Sequence, residues 1–359
     1  MLRLSSIGRT ALVAGVVAMV ATACGSSPTT GGSDIGKGAL TGAGATFPGP
    51  FYQKAFTDFS TQHSQVTINY QAVGSGAGIQ QFIKKTVDFG ASDVPMGSAD
   101  IASAGGAGSL TQIPTTLGVV AIAFNISGVG SLNLDGPTLA GIYLGQIKKW
   151  NDPLLTAINS GNNLPNKNIT VVHRSDGSGT TYHFTDYLSK ISDEWQSKVG
   201  KAKSVSWPTG VGASGNQAVA QAVASTDGAI GYVELAYVVQ TGMKQAALKN
   251  AAGKFVQAST DGATAAAATK PNVTPTDFSI TNSNCDACYP IAAFSWVMLY
   301  TDYKDADKGK AVVNLFKWLV TDGQTEGKDL QYAPLPSAVQ QLALTNLKSI
   351  KAGGSAVLS

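Results

Sequence analysis

Arg174-Ser175-Asp176-Gly177-Ser178-Gly179-Thr180 is the segment best equipped for chemistry, and the chemistry is anion capture. It follows an apolar strand-like run, Ile169 to Val172, and precedes a helix-like stretch from Thr181 to Lys190. The first N–H groups of a helix lack internal partners and sit at the positive end of its dipole, so this strand–turn–helix passage is a ready anion site. Ser178 and Thr180 add hydroxyls, and Gly179 lets backbone approach a ligand closely. Arg174 offers a planar fork of donors that matches a phosphate or carboxylate. The competing explanation is an ordinary capped helix start beside a surface arginine.

Two further segments share the design. Thr41-Gly42-Ala43-Gly44-Ala45-Thr46-Phe47-Pro48 places small residues and a hydroxyl just before a helix-like run from Phe51 to Ser60. Tyr70-Gln71-Ala72-Val73-Gly74-Ser75-Gly76-Ala77-Gly78 links a β-pattern (Val66, Ile68, Tyr70) to a helix-like run from Ile79 to Lys85. Neither is a nucleotide loop. The first lacks a Gly-Lys-Ser/Thr ending, and the second lacks the spaced third glycine and acidic partner of a dinucleotide fold. A single turn of this kind is commonplace; three in one chain point to helix N-termini converging on one anion.

The elements around these turns alternate between periods of two and 3.6, which predicts an α/β fold. Strands are expected at Val66 to Tyr70, Val87 to Ala91, Val119 to Asn125, Ile169 to Val172, Ala229 to Val233 and Phe294 to Tyr300. Helices are expected at Phe51 to Ser60, Pro137 to Leu144, Thr181 to Leu188, Asn216 to Ala224 and Lys308 to Val320. Ala251 to Thr269 is Ala/Gly/Thr-rich and poorly patterned, so a loop is expected there. The continuous apolar runs Leu117 to Ile126 and Ile291 to Tyr300 read either as connections between two lobes or as central buried strands of one.

The chain of 359 residues is 43% apolar and 13% charged, so it can bury a sizeable core and is not disordered. A formal net charge of +3 gives no ground for a nucleic-acid partner. Arg3 and Arg9 followed by apolar Ala11 to Ala23 read as a signal peptide over residues 1–23. Small residues before Cys24 resemble the bacterial lipoprotein signal, in which that cysteine carries the lipid, although Ala21 stands where leucine is usual. Residues 24–38 then form a Gly/Ser/Thr/Pro-rich tether. Roughly 320 residues remain, a length that favours two lobes. In an exported chain Cys285-Asp286-Ala287-Cys288 reads as a short-loop disulfide, with a redox-active pair as the rival. His63, His173 and His183 are scattered, so no metal site and no cofactor are expected.

Taken in order, Leu40 to Pro48, Gly74 to Gly78, Val87 to Asp93, Ile142 to Trp150, Arg174 to Thr180 and Gly228 to Glu234 resemble the phosphate-binding (solute-binding) proteins of high-affinity phosphate ABC transporters. The resemblance runs from about Leu40 onward. It implies a two-lobed periplasmic-binding-protein fold, type II-like, with a hinged ligand cleft. Residues 39–113 and 292–359 would form one lobe and residues 114–291 the other. It also implies an extracytoplasmic monomer, held to the cell membrane by a lipid on Cys24, that passes inorganic phosphate to transmembrane permease subunits. The implied phosphate contacts are Ala45, Thr46 and Phe47 in the first turn, Ser75 in the second, Asp93, Arg174, and Ser178, Gly179 and Thr180 in the third. Asp176 would hold the Arg174 fork.

Asp93 fits only one kind of anion. An ionised carboxylate accepts hydrogen bonds and cannot donate them. Phosphate near neutral pH keeps an O–H to offer, whereas sulfate has none, so Asp93 would accept from the first and repel the second. Three other readings compete. One is a phosphate-ester hydrolase using the same cradle, with His173 or His183 as base. Another is a binder of a different oxyanion, and the third is a surface adhesin that keeps the fold alone.

Overall fold

The computed structural model describes residues 34–358. The signal peptide, Cys24 and most of the tether lie outside these residues. A nine-stranded sheet positions the three turns. Its order is Val66–Ala72, Gly38–Gly44, Phe89–Ser92, Ala292–Tyr300, Leu110–Asn125, Ala229–Glu234, Thr170–Arg174 and Val211–Ala213, with Lys244–Gln245 also paired to Leu110–Asn125. Both wings are parallel. Gly38–Gly44 runs with Val66–Ala72 and Phe89–Ser92, and Thr170–Arg174 runs with Val211–Ala213 and Ala229–Glu234. Parallel neighbours require crossovers, here supplied by the helices Gly49–Gln62, Ser75–Ile83, Gly179–Ile191 and Gly215–Ser225. The segments leaving the carboxyl ends of these strands carry the anion turns, the usual location of a ligand in an open α/β sheet.

The centre of the sheet is antiparallel and hangs on one strand. Leu110–Asn125 has 16 residues, roughly 50 Å of extended chain. Its first part, Leu110 to Val119, pairs with Ala292–Tyr300, and its second part, Val120 to Asn125, pairs with Ala229–Glu234. Of the two apolar runs, the first therefore belongs to both wings, while Ala292–Tyr300 pairs only with Phe89–Ser92 and Leu110–Asn125. Pro114 cannot donate to a ladder, and the register slips by one residue there, between Ser295 and Trp296.

Aromatic residues fill both sides of the core. Tyr52 and Phe56 of the Gly49–Gln62 helix stack at 5.0 Å and meet Tyr70 edge-on, and Phe89 and Phe316 meet at 5.0 Å. In the other wing Phe184 stacks on Tyr232 at 4.3 Å beside Tyr143 and Trp207. Cys285 and Cys288 form a disulfide whose loop is held by the Asn250 amide, which donates to the carbonyls of Cys285, Asp286 and Cys288.

Two expectations need correction. Ala251 to Thr269 is not a loop throughout: it holds the strand Phe255–Val256 and the helix Thr260–Ala268. Ser259 caps that helix by accepting from Gly262 N at 3.0 Å, and its buried face consists of Gly262, Ala263, Ala266 and Ala267. Methyl-sized side chains leave almost no hydrophobic periodicity, yet alanine is the best helix former. Gly38–Gly44, where no strand was expected and whose first residue was assigned to the tether, is a strand in register with Val66–Ala72 over its whole length. Its backbone ladders, rather than its small side chains, hold it in place.

Gly44 ends that strand with φ +150°, and a Cβ there would lie 1.9 Å from the Ala91 carbonyl oxygen. Its own carbonyl accepts from Val73 N at 2.9 Å and Gly74 N at 2.8 Å, tying the first turn to the second. Gly44→Ala is expected to destabilise the protein by about 2–4 kcal/mol in urea unfolding, through strain and the backbone collision. A change under about 0.5 kcal/mol, the range of a neutral surface substitution, would contradict this packing.

Candidate anion-binding site

Arg174 ends the Thr170–Arg174 strand and is 2% exposed. Its fork is held from one side. Nε donates to Asp176 Oδ1 at 2.6 Å, and Nη2 bonds Asp176 Oδ2. Nη1 is left to reach Thr180 Oγ1 at 3.4 Å. Burial works to raise the Asp176 carboxyl, but the Arg174 hydrogen bonds and charge outweigh it and hold the group below the usual carboxylate range. The arginine is thereby fixed in orientation and neutralised in charge.

The first turn is aimed by tyrosines. The carbonyl oxygens of Ala45, Thr46 and Phe47 accept, respectively, from Tyr70 at 2.7 Å, Tyr237 at 2.6 Å and Tyr332 at 2.6 Å. In a trans peptide the N–H points opposite the C=O. Fixing the Ala45 and Thr46 carbonyls therefore turns the N–H groups of Thr46 and Phe47 the other way. Ala45 differs from expectation. Its own N–H donates to the Ala91 carbonyl at 3.0 Å, because Ala45 still follows the path of the strand, so it has no backbone donor left for an anion.

The second and third turns touch directly. Gly76 N donates to Gly177 O at 2.8 Å, and Gly179 N donates to Ser75 Oγ at 3.1 Å. A Cβ on Gly179 would lie 2.4 Å from Asp93 Cβ and Oδ2, so only glycine admits the carboxylate here. Ser178 caps the Gly179–Ile191 helix by accepting from Thr181 N at 3.0 Å. Its own O–H proton is not used by that bond.

Asp93 is 1% exposed and held on every side. Ser295 donates to Oδ1, Ser75 donates to Oδ2 at 3.4 Å, and His183 Nε2 donates to the backbone carbonyl at 2.8 Å. Burial raises the Asp93 carboxyl to about 7, against the opposing pull of Ser295, Arg174 and Ser75. Burial drives the His183 imidazole the other way, to about 4, so the ring stays neutral with its proton on Nε2.

The structure thus links Thr46, Ser75, Asp93, Arg174, Asp176, Gly179 and Thr180 in one buried cluster of contacts, with Phe47 and Ser178 next to it in the first and third turns. Sequence reasoning missed Ser295, the three tyrosines, the positioning part of His183, and Asn216. The Asn216 amide bonds Thr46 Oγ1 at 2.9 Å and Thr180 Oγ1 at 3.1 Å. Local sequence carries no signal for such residues; their partners lie far away along the chain. Neither histidine flanking the third turn serves as a base for Ser178. His183 is committed to Asp93 O, and His173 stacks on Trp207 at 4.7 Å with Nδ1 against Arg174 O. Among the described residues no group of three or more His, Cys, Asp or Glu is placed to hold a metal ion, and no helix is long and apolar enough to cross a membrane.

Comparison with known proteins agrees with this chemistry. The family model described as the PBP superfamily domain matches residues 26–322. The phosphate-binding protein PstS of Xylella fastidiosa (strain 9a5c) is 44% identical over 301 residues, spanning 83% of this chain and 81% of the relative. PstS of Pasteurella multocida (strain Pm70) is 44% identical over 306 residues, spanning 84% of this chain and 88% of the relative. Among solved structures, the phosphate-binding protein from Stenotrophomonas maltophilia aligns with a TM-score of 0.66 at 20% identity, over 86% of this chain and 93% of that one, a likeness of fold.

The raised Asp93 carboxyl predicts a pH signature. Between about pH 4, where an unfolded aspartate ionises, and about pH 7, the folded state holds a proton that the unfolded state has lost. Stability from this group is complete below the unfolded value and is lost as pH rises through 7. His183 acts oppositely over an overlapping window, because its lowered value adds stability as pH rises. Comparison with Asp93→Asn isolates the aspartate. In the anion-stripped protein, the stability of D93N minus that of the original chain should climb by a few kcal/mol from pH 4 to pH 7.5. Urea midpoints that stay parallel across this range would show that Asp93 titrates normally.

Proposed function

The chain belongs to the phosphate-binding PstS family within the PBP superfamily, and on that footing we propose how it works. It is a two-lobed α/β protein of the periplasmic-binding fold that acts outside the cytoplasm, captures inorganic phosphate between its lobes, and delivers it to an ABC permease for import. The observation that carries this reading is a buried cluster of donor-bearing residues, Thr46, Ser75, Arg174, Ser178 and Thr180, gathered near a carboxylate acceptor, Asp93. Phosphate bears a proton for that acceptor and sulfate does not. Burial of Asp93 strengthens the effect, because a poorly solvated carboxylate is an avid proton acceptor. A site built around a ligand hydroxyl rejects the analogue lacking it by about 10⁴-fold or more.

In this reading the anion meets N–H groups of Thr46, Phe47 and Thr180, hydroxyls of Thr46, Ser178 and Thr180, the Arg174 guanidinium and the Asp93 carboxylate. Ser75 bridges Asp93 and Gly179 beside it. One lobe comprises residues 39–113 with 292–359, and the other residues 114–291. Supporting this division, Leu110–Asn125 changes partner at Val119/Val120, from Ala292–Tyr300 to Ala229–Glu234. The reading takes the protein as a monomer. The relatives are named binding proteins, and His183 and His173, the bases nearest the third turn in sequence, are engaged with Asp93 O and Arg174 O, so the phosphate-ester hydrolase is set aside. A lipid on Cys24 would tether the protein at the membrane beside the permease.

Calorimetric titration of the phosphate-stripped domain, starting near Gly38, should give one site of micromolar or tighter Kd for phosphate and no heat with sulfate. Equal binding of sulfate would overturn the Asp93 filter. Arg174→Ala should weaken phosphate binding by about 2–5 kcal/mol, the scale for removing one partner of a buried charged pair; unchanged affinity would place the ligand elsewhere. Cys24→Ala should move the full-length protein from the membrane fraction to the soluble fraction, and persistence at the membrane would reject the lipid anchor.

A further inference from the structure

We propose that Asn216 sets the polarity of the phosphate cradle: its amide and N–H fill acceptor positions of the Thr46 and Thr180 hydroxyls, so that both hydroxyl protons turn toward the anion. The inference rests on the phosphate reading above and concerns how the site is tuned. A threonine hydroxyl has one proton to donate and two lone pairs to accept with, and it rotates to suit its surroundings. Left free, it can present either face to a ligand.

Here the choice is removed. Thr46 Oγ1 receives the Asn216 backbone N–H at 3.2 Å and its Nδ2 at 2.9 Å. Thr180 Oγ1 receives Asn216 Nδ2 at 3.1 Å and Arg174 Nη1 at 3.4 Å. Both oxygens have their lone pairs occupied, and each keeps an O–H with no protein acceptor among the described residues. The two protons of one amide nitrogen thus serve two hydroxyls on two different turns. The amide itself cannot flip, because Oδ1 accepts from Glu234 N at 3.1 Å, and Asn216 is fully buried. Ser178 shows the same logic on a smaller scale, with its Oγ accepting from Thr181 N.

The arrangement matters because the charge balance of the site is poor for an anion. Asp176 cancels Arg174, and Asp93 contributes an acceptor. Attraction must then come from dipoles oriented before the ligand arrives, and a hydroxyl turned the wrong way would present a lone pair to a phosphate oxygen. Asn216 excludes that orientation without touching the ligand, so it is a positioning residue.

A double-mutant cycle separates this role from plain structural support. In phosphate titrations, Asn216→Ala should weaken binding about 10- to 100-fold, the scale of hydrogen bonds to a charged group. Asn216→Leu, which fills similar volume without the donor, should do the same and guards against loss of the fold in the alanine variant. In a Thr46→Val/Thr180→Val background, where no hydroxyl remains to orient, either substitution should cost less than about 3-fold more. Equal losses in both backgrounds would mean that Asn216 is only a structural brace, and would overturn the proposal while phosphate binding by the original chain stands. Failure of the original chain to bind phosphate would overturn both the functional reading and this one.

Discussion

A charged site sealed from water must satisfy every charge from its own walls, and the rest of this structure follows from that constraint. Arg174 and Asp93 are 2% and 1% exposed. A single unpaired ion at such depth would be prohibitive, so each is caged: Arg174 by Asp176 and Thr180, Asp93 by Ser295 and Ser75. With all three ionised the side chains sum to one negative charge, +1 −1 −1. Net charge therefore does not attract the anion. Oriented N–H and O–H dipoles and helix N-termini must do so, which makes orientation the central structural problem.

The fold solves that problem by convergence. Parallel strands Gly38–Gly44, Val66–Ala72, Thr170–Arg174 and Val211–Ala213 each lead through a short turn into a helix, and residues at these turns and helix starts, Thr46, Ser75, Gly179, Thr180 and Asn216, bond to one another. The helices Ser75–Ile83 and Gly215–Ser225 begin without a side-chain cap, which leaves their first N–H groups to other partners. One of these, Asn216 N, bonds Thr46. Leu110–Asn125 joins the two wings with continuous backbone ladders, and the slip at Pro114 lies opposite Ser295, the residue that clamps Asp93.

Asp93 links stability to selectivity. Its burial penalises the charged form of the folded protein and at the same time makes the carboxylate eager for a proton. A ligand that brings an O–H relieves the penalty; one that brings only lone pairs adds to it. His183 holds the Asp93 backbone from the opposite wing while remaining neutral, so the clamp adds no charge to the site.

What the sequence determined by itself was local. Three Gly/Ser/Thr turns before helices, the alternation of periods, and the close Cys285/Cys288 spacing are short-range patterns, and each reflects backbone chemistry within a few residues. Arg174 was legible in its own motif, and the order of the turns along the chain carried the family resemblance, and with it Asp93 and Asp176. Elements whose stability is not local were harder to see. The Gly38–Gly44 strand is held by ladders on both sides, and the Thr260–Ala268 helix buries only methyl-sized groups. The residues that orient the site were invisible for the same reason. Asn216 lies 170 residues from Thr46, Ser295 lies 202 from Asp93, and His183 lies 90 from Asp93. Types such as Asn, Ser and Tyr declare nothing until folding places them. Tertiary structure alone decided which carbonyls are tied back, which hydroxyls must donate, and that Ala45 has no N–H to offer, because a hydrogen bond is fixed by distance and angle in space rather than by spacing along the chain.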